Sequence, residues 1–301
     1  MSRRYNLEPP EGIEPPSPRY GLGIMPLYYG GEKLQDKKDH VMKVIFAKPS
    51  QDIPSYRDFF RLAELSGFEV REGTIERKEN EVYICIFHYN PDFIGQKGKV
   101  ITWFLERVSC CGDDHFYEFI KRIKEDRKLD EIWVSDLSMW KLINNISRFV
   151  PIGSHEKISP LSTGRTYDIA DMCFRYGRRN FISNLKCKIA PLCFYPERDQ
   201  ILSQSAFMLN VHQDEDHYFE PLRFCLAAAA GIPIITETCF NPFPYEGKDL
   251  IQSEYKNICP TIYRVISEGY DLHKKNANEM RKMILSNYCF RDCVIRAIGD
   301  K

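Results

Sequence analysis

The polar residues that follow the apolar run AFMLNVH have the types and spacing of an anion-binding site. The run predicts a strand that ends at His212, and Pro221 predicts the first turn of a helix, where its missing N–H does no harm. Glu220 and Arg223 stand at this helix start. The free N–H groups and partial positive charge of a helix start favour a phosphate, and Arg223 adds a guanidinium fork for the phosphate oxygens.

Glu220 allows two interpretations. Its carboxylate oxygens can accept hydrogen bonds from the hydroxyl groups of a sugar or a ribose. Alternatively, Glu220 caps the helix and Arg223 pairs with an acidic residue at the surface. The residue types alone do not decide between these interpretations.

A second cationic stretch begins at Gly177, which Arg178 and Arg179 follow. The pattern predicts a strand over 171–176 and a helix over 178–188, so the two arginines fall in the first helical turn. Cations are unfavourable at that end of a helix dipole, which indicates an anionic partner. The alternative is a solvated basic turn.

Two candidate catalytic residues lie in the first half of the chain. His88 ends the run EVYICIFH, and Glu106 ends the run KVITWFLE. His88 is a candidate general base because imidazole titrates near neutral pH, and its alternative is a half-buried structural histidine. For Glu106 the alternative is an ion pair with the neighbouring Arg107.

Metal ligation has little support in the sequence. The run Asp214-Glu215-Asp216 matches the D-x-D pattern that holds a divalent ion with a diphosphate, but we favour a solvated acidic loop. The 11 cysteines lack the paired spacing and the histidine partners of a zinc site. We therefore predict no bound metal and no cofactor.

Strand and helix patterns alternate along most of the chain. They run through residues 41–153 and restart after the turn-rich segment 154–170, with a further strand predicted over 189–195. We predict an α/β fold of two Rossmann-like domains, 41–153 and 154–301, that face each other across a cleft, the second with a helical tail. Residues 1–40 are rich in proline and predict an extended arm.

The composition limits the class of protein. The formal net charge is zero, with 42 basic and 42 acidic residues, which argues against broad affinity for nucleic acid. No transmembrane run or secretory signal is evident, and cysteines in apolar runs predict reduced thiols in a cytoplasmic protein. P-loop, G-x-G-x-x-G, H-E-x-x-H and G-x-S-x-G motifs are absent, so the enzyme classes that use them lack support.

The order of the motifs resembles the C-terminal, donor-binding half of group 1 glycosyltransferases, which have the GT-B fold. Over Asp168–Thr238, GRR is followed by LNVH, then by E-x-x-R and AAAAGIPIITE. The resemblance implies a donor site formed by Gly177, Arg178, Arg179, His212, Glu220, Arg223 and Glu237. Many retaining members carry two glutamates here, where Tyr218 and Leu226 stand in this chain, so the stereochemistry stays open.

The resemblance implies transfer of a hexose from a nucleoside diphosphate sugar, such as UDP- or GDP-hexose, to a glycan or another hydroxyl acceptor. The 41–153 domain would bind the acceptor. Guanidinium groups and helix-start amides would stabilise the leaving diphosphate without a metal. Closure of the two domains over the donor would exclude water.

Three other functions remain open. A DNA-base glucosyltransferase of phage type, acting on hydroxymethylated pyrimidines, is possible but not favoured, because acidic residues intersperse the basic ones of the first half. A nucleotide-sugar epimerase would convert the donor without an acceptor. A non-catalytic nucleotide-sugar-binding module would bind the donor without turnover.

Overall fold

A computed structural model of the chain describes residues 42–87, 91–105, 113–158, 164–172, 177–212, 219–240, 242, 244–245 and 250–299. All of them fall within one compact unit that spans His40–Lys301. The predicted arm, residues 1–40, lies outside the described residues. Within the described ranges, no helix combines the length and the apolar character needed to cross a membrane.

The described strands are β1 (Lys43–Lys48), β2 (Glu69–Glu72), β3 (Ile75–Glu76), β4 (Glu81–Ile86), β5 (Phe93–Ile94), β6 (Lys99–Phe104), β7 (Glu131–Val134), β8 (Arg148–Phe149), β9 (Tyr167–Asp171), β10 (Ser205–Asn210), β11 (Ile234–Glu237) and β12 (Ile251–Ser253). The α-helices are α1 (Arg57–Leu65), α2 (Asp113–Asp126), α3 (Leu137–Ile143), α4 (Glu197–Ser203), α5 (Pro221–Ala229), α6 (Ile258–Glu268), α7 (Tyr270–Asn287) and α8 (Phe290–Gly299). Short 3-10 helices stand at Pro54–Tyr56, Gly177–Asn184 and Tyr255–Asn257.

The first sheet is parallel and has the strand order β2-β1-β4-β6-β7-β8. Its strand β4 is buried along its whole length, as the apolar sequence EVYICI predicts for a strand covered on both faces. Successive side chains of a strand point to opposite faces. Trp103 therefore packs with α1 and α8, whereas Phe104 packs with α2 and α3.

The second sheet is also parallel, with the order β12-β11-β10-β9. Met208 and Ile234 lie on the face covered by α5 and α7, and Phe207 and Ile235 lie on the face covered by α6. Each sheet thus has helices on both faces, which confirms the predicted α/β fold of two Rossmann-like domains. Below, the first half and the second half of the molecule are the parts built around these two sheets.

Three predicted elements of the second half are wrong. Strand β9 ends at Asp171 instead of beginning there, and residues 173–176 lie outside the described part. The cationic segment forms a 3-10 helix over Gly177–Asn184 rather than a helix over 178–188. Ile189 makes a single bridge to Ile169, and the described residues 189–195 form no strand, because Pro191 cannot donate to a ladder.

The chain passes between the two halves at two adjacent segments. The N–H of Ser154 donates to the carbonyl of Tyr288 at 2.9 Å, and the N–H of Phe290 donates to the carbonyl of Ser154 at 2.9 Å. Gly153 lies at this crossing, where a Cβ atom would stand 2.1 Å from the Tyr288 carbonyl oxygen, so glycine is required. Phe290 then enters the core of the first sheet and stacks on Trp103, with ring centroids 5.9 Å apart.

Candidate functional site

A buried carboxylate, Glu237, ends β11 at the carboxyl edge of the second sheet. Its Oε1 accepts a hydrogen bond from Arg178 Nη2 at 2.7 Å, and its Oε2 accepts one from the backbone N–H of His212 at 2.8 Å. A buried charge is stable only when it is paired and hydrogen-bonded. Glu237 therefore ties the end of β10 to the cationic 3-10 helix.

Arg178 is a partly exposed cation at this edge. It follows Gly177, whose φ of 57° is a conformation that glycine adopts without strain. The Arg178 side chain is 21% exposed, and its guanidinium lies on the Tyr255 ring, with Cζ 4.0 Å from the ring centroid. The guanidinium is thus held between a carboxylate and an aromatic ring, and the side chain as a whole stays partly exposed.

Arg179 is buried and holds the end of β10. Its Nε donates to the carbonyl of Val211 at 2.7 Å, and its Nη2 lies 3.8 Å from Glu220 Oε1. The alternative of a solvated basic turn is therefore wrong for Arg179, because only 2% of this residue is exposed.

Glu220 precedes α5 but makes no side-chain hydrogen bond to the helix start. The alternative of a capping residue is therefore wrong. Instead, Oε1 pairs with Arg223, three residues later, whose Nη1 also donates to Asn210 Oδ1 at 3.2 Å. The other oxygen, Oε2, is buried and has no hydrogen-bond partner among the described residues. Such an oxygen requires a donor from a ligand or from water.

Glu220 and Arg223 line a crevice between the two halves of the molecule. Ser55 and Leu105 contribute to its wall from the first half, and Arg198 contributes from α4 of the second half. The Glu220–Arg223 ion pair therefore faces the first half across the crevice and does not lie on the outer surface.

Ion pairs between α1 and α4 hold the two halves together beside the crevice. Asp58 pairs with Arg198, and both side chains are buried. Burial raises the pKa of the Asp58 carboxyl above its usual range, although the charge of Arg198 acts in the opposite direction. A second pair, Arg61 with Asp199, lies one helical turn further along α1.

The structure brings the predicted donor-site residues together. Arg178, Glu237 and His212 form one set of contacts, and Arg179, Glu220 and Arg223 form the other. The two sets meet at the end of β10, because Arg179 binds Val211 and Glu237 binds the next residue along the chain. The imidazole of His212 is wholly buried, so His212 contributes its backbone N–H to these contacts.

Several predicted positions lie outside the described residues. They are the catalytic candidates His88 and Glu106 and the acidic run Asp214–Asp216. Within the described part of the chain, no group of three or more His, Cys, Asp and Glu side chains is arranged to hold a metal ion.

Three residues of the site escaped the sequence analysis. Asn210 accepts a hydrogen bond from Arg223, and its place in the motif LNVH could have indicated this role. Asp136 and Tyr255 contact the site from distant parts of the chain. Nothing in their local sequence indicates these contacts, because they depend on how the two sheets come together.

Comparisons with known proteins find similar folds but no matching family. No family model and no curated protein matches the chain. HepE of Anabaena, solved with UDP and glucose, superimposes with a TM-score of 0.58 at 8% identity, over 86% of this chain and all of HepE (100%). A glycosyltransferase of Rickettsia africae has a TM-score of 0.51 at 9% identity, over 85% of this chain and 96% of its own.

TarM is also similar, with a TM-score of 0.50 and 12% identity over 73% of this chain. The chain spans about half the length of TarM, 54% of it. These similarities confirm that the chain has the GT-B-type fold, with two Rossmann-like domains.

Proposed function

We propose that this chain transfers a hexose from a nucleoside diphosphate sugar to a hydroxyl acceptor. One observation carries the proposal: Glu220 Oε2 is buried without a partner among the described residues, in a side chain that lines the crevice. Sugar and ribose hydroxyl groups are the O–H donors that such an oxygen needs. The guanidinium groups of Arg178 and Arg223 suit the diphosphate of the same ligand.

The fold supports this position for the donor. Ligands of open α/β sheets bind in the crevice outside the carboxyl ends of the strands. Glu237 ends β11, and Arg223, which pairs with Glu220, contacts Asn210 at the end of β10, so the candidate residues stand at that edge. HepE, which shares the fold, was solved with UDP and glucose.

In the proposed reaction, the bond between the anomeric carbon and the diphosphate oxygen breaks, and the acceptor oxygen forms a new bond to that carbon. Arg178, Arg223 and the N–H groups at the start of α5 stabilise the negative charge on the leaving diphosphate. The acceptor proton passes to a base from the first half, for which His88 and Glu106 are our candidates. This mechanism needs no metal, so EDTA is expected to leave the rate unchanged.

Calorimetric titration with UDP, GDP and their hexose derivatives tests the donor site. We expect one nucleotide family to bind the wild type, and Glu220→Gln or Arg223→Ala to weaken binding by about tenfold or more, because a hydrogen bond to a charged group contributes about 1.5–3 kcal/mol. Arg264→Ala is the matched control, since Arg264 forms a similar pair with Glu268 on α6. A wild type that binds none of these ligands would rule out the proposal.

Product analysis separates the remaining alternatives. Labelled donor incubated without an acceptor yields an epimer only if the protein is an epimerase. Donor binding with no transfer to any hydroxyl acceptor indicates a non-catalytic binding module. Transfer to hydroxymethylated DNA in preference to glycans identifies a DNA-base glucosyltransferase.

A further inference from the structure

Two residues near the ends of neighbouring strands contact the Arg178 guanidinium. Glu237 is the last residue of β11, and Tyr255 follows β12, which pairs with β11 so that Glu237 stands opposite Ser253. The Glu237 carboxylate binds Nη2 at the edge of the guanidinium, and the Tyr255 ring covers its face at 4.0 Å. The edge and the face of the cation are therefore held by different residues.

Tyr255 also binds the backbone of Arg178. Its hydroxyl donates to the Arg178 carbonyl oxygen at 2.7 Å, so one tyrosine contacts both the main chain and the side chain of this arginine. Phe181, in the same 3-10 helix as Arg178, meets the Tyr255 ring edge-on, with centroids 6.0 Å apart and planes at 79°. These contacts fix the plane of the ring against the 3-10 helix.

This orientation matters for binding an anion. The donors of a guanidinium lie in its own plane, so a ring stacked on one face sets the plane in which they are presented. An arginine side chain loses considerable rotamer freedom when it binds a phosphate, and a side chain that is already ordered loses less. Tyr255 itself remains 36% exposed and adds no charge to the site.

We propose that Tyr255 is a positioning residue that orients Arg178 for the diphosphate of the donor. The inference rests on the proposed function and adds a residue to that site. Tyr255 acts through Arg178 and does not contact the nucleoside. Its removal is therefore expected to weaken the binding of ligands that carry phosphate and to leave the binding of ligands without phosphate unchanged.

Titration of UDP and uridine on matched variants tests this role. We expect Tyr255→Leu to lower the affinity for UDP by about tenfold and the affinity for uridine by less than about twofold, because only the orientation of a phosphate-binding cation is lost. Tyr255→Phe keeps the ring and is expected to bind UDP within about threefold of the wild type. GDP and guanosine replace this pair of ligands if the protein selects guanine nucleotides.

Tyr263→Leu is the control. Tyr263 is 41% exposed, and its hydroxyl accepts a hydrogen bond from the backbone N–H of Lys186. It is therefore an exposed tyrosine bound to the backbone two residues after the end of the same 3-10 helix. We expect Tyr263→Leu to bind UDP as the wild type does. Melting temperatures of all variants show whether each one is folded.

Arg178→Lys tests the same contact by changing the arginine instead of the tyrosine, because lysine keeps the charge but has no planar cation to stack on the ring. Arg178→Lys is expected to lower the affinity for UDP about as much as Tyr255→Leu does. The double variant that carries both substitutions should bind UDP no more weakly than either single variant. An unchanged affinity for UDP in Arg178→Lys would overturn the inference even if Tyr255→Leu did not fold.

Two patterns of lost affinity in the Tyr255 variants would also overturn the inference. One is that Tyr255→Leu lowers the affinities for UDP and for uridine equally. The other is that Tyr255→Phe lowers the affinity for UDP as much as Tyr255→Leu does. A wild type that binds neither UDP nor GDP overturns the proposed function together with this inference. Normal binding by the wild type with unchanged binding by Tyr255→Leu overturns the inference alone.

Discussion

Asp136 and Phe219 connect the two halves next to the proposed donor site. Oδ2 of Asp136 accepts a hydrogen bond from the backbone N–H of Phe219 at 3.2 Å, while its Oδ1 accepts one from the N–H of Met139 at 2.6 Å. Asp136 is the capping residue of α3 in the first half, and Phe219 immediately precedes Glu220 in the second. One carboxylate therefore caps a helix of the first half and fixes the backbone beside Glu220.

Asp136→Asn is expected to weaken both stability and donor binding. Asparagine has a single acceptor oxygen, so one of the two hydrogen bonds must be lost. We expect the free energy of unfolding in urea to fall by about 1–2 kcal/mol, and the affinity for the donor to fall with it. Asp126→Asn, at the exposed end of α2, is the control. Unchanged stability in Asp136→Asn would show that this link is not required.

The buried pair between Asp58 and Arg198 is expected to behave unlike a surface ion pair. Arg198→Met leaves a buried carboxylate without its partner, and we expect the free energy of unfolding to fall by about 3–5 kcal/mol. Adding Asp58→Leu removes that carboxylate and is expected to restore part of the loss. Denaturant unfolding of both single variants and the double variant measures the coupling. A double variant less stable than Arg198→Met would contradict this account.

Glu81 is expected to make stability depend on pH in the acid range. Hydrogen bonds from Arg71 lower the pKa of Glu81 from 4.5 to about 2. Because the pKa in the folded state is the lower one, this stabilisation is complete above about pH 5 and disappears as the pH falls towards 2. Glu81→Gln should therefore be less stable than the wild type at neutral pH, with the difference vanishing in acid. Glu72→Gln, which removes an exposed pair with Lys48, should show a much smaller difference.

Phe290 is expected to be essential for the stability of the first half. It contacts the rings of Phe46, Phe59 and Trp103, and it is fully buried. We expect Phe290→Ala to lower the free energy of unfolding by about 3–5 kcal/mol. Ile295→Ala, at an exposed position of the same helix, should change it by less than about 0.5 kcal/mol. Similar values for the two variants would mean that α8 is not part of this core.

The long apolar runs allowed much of the fold to be predicted. EVYICI and KVITWF form β4 and β6, and the alanine-rich stretch that begins at Pro221 forms α5. Local sequence could not predict β2, because its four residues, EVRE, form an edge strand with no apolar pattern. The strand predicted over 189–195 is wrong for a different reason, because this segment has an apolar composition but contains Pro191, which interrupts pairing.

The candidate site was predictable where its residues belong to one stretch of chain. Glu220 and Arg223 are three residues apart, so their contact follows from helical spacing. The partners of Arg178 do not follow in this way, because Glu237 ends β11 and Tyr255 follows β12, and only the folded sheet brings them together. The catalytic assignments of His88 and Glu106 stay predictions.

The return of α8 to the first sheet has a consequence for synthesis on the ribosome. Residues 43–149 leave the ribosome well before Phe290, yet the aromatic core that they build lacks one of its rings until Phe290 arrives. The first sheet therefore emerges early with an open apolar face, and a nascent chain stalled before residue 290 should be cut readily by protease within its first half. The first sheet becomes resistant to protease only when α8 has been made.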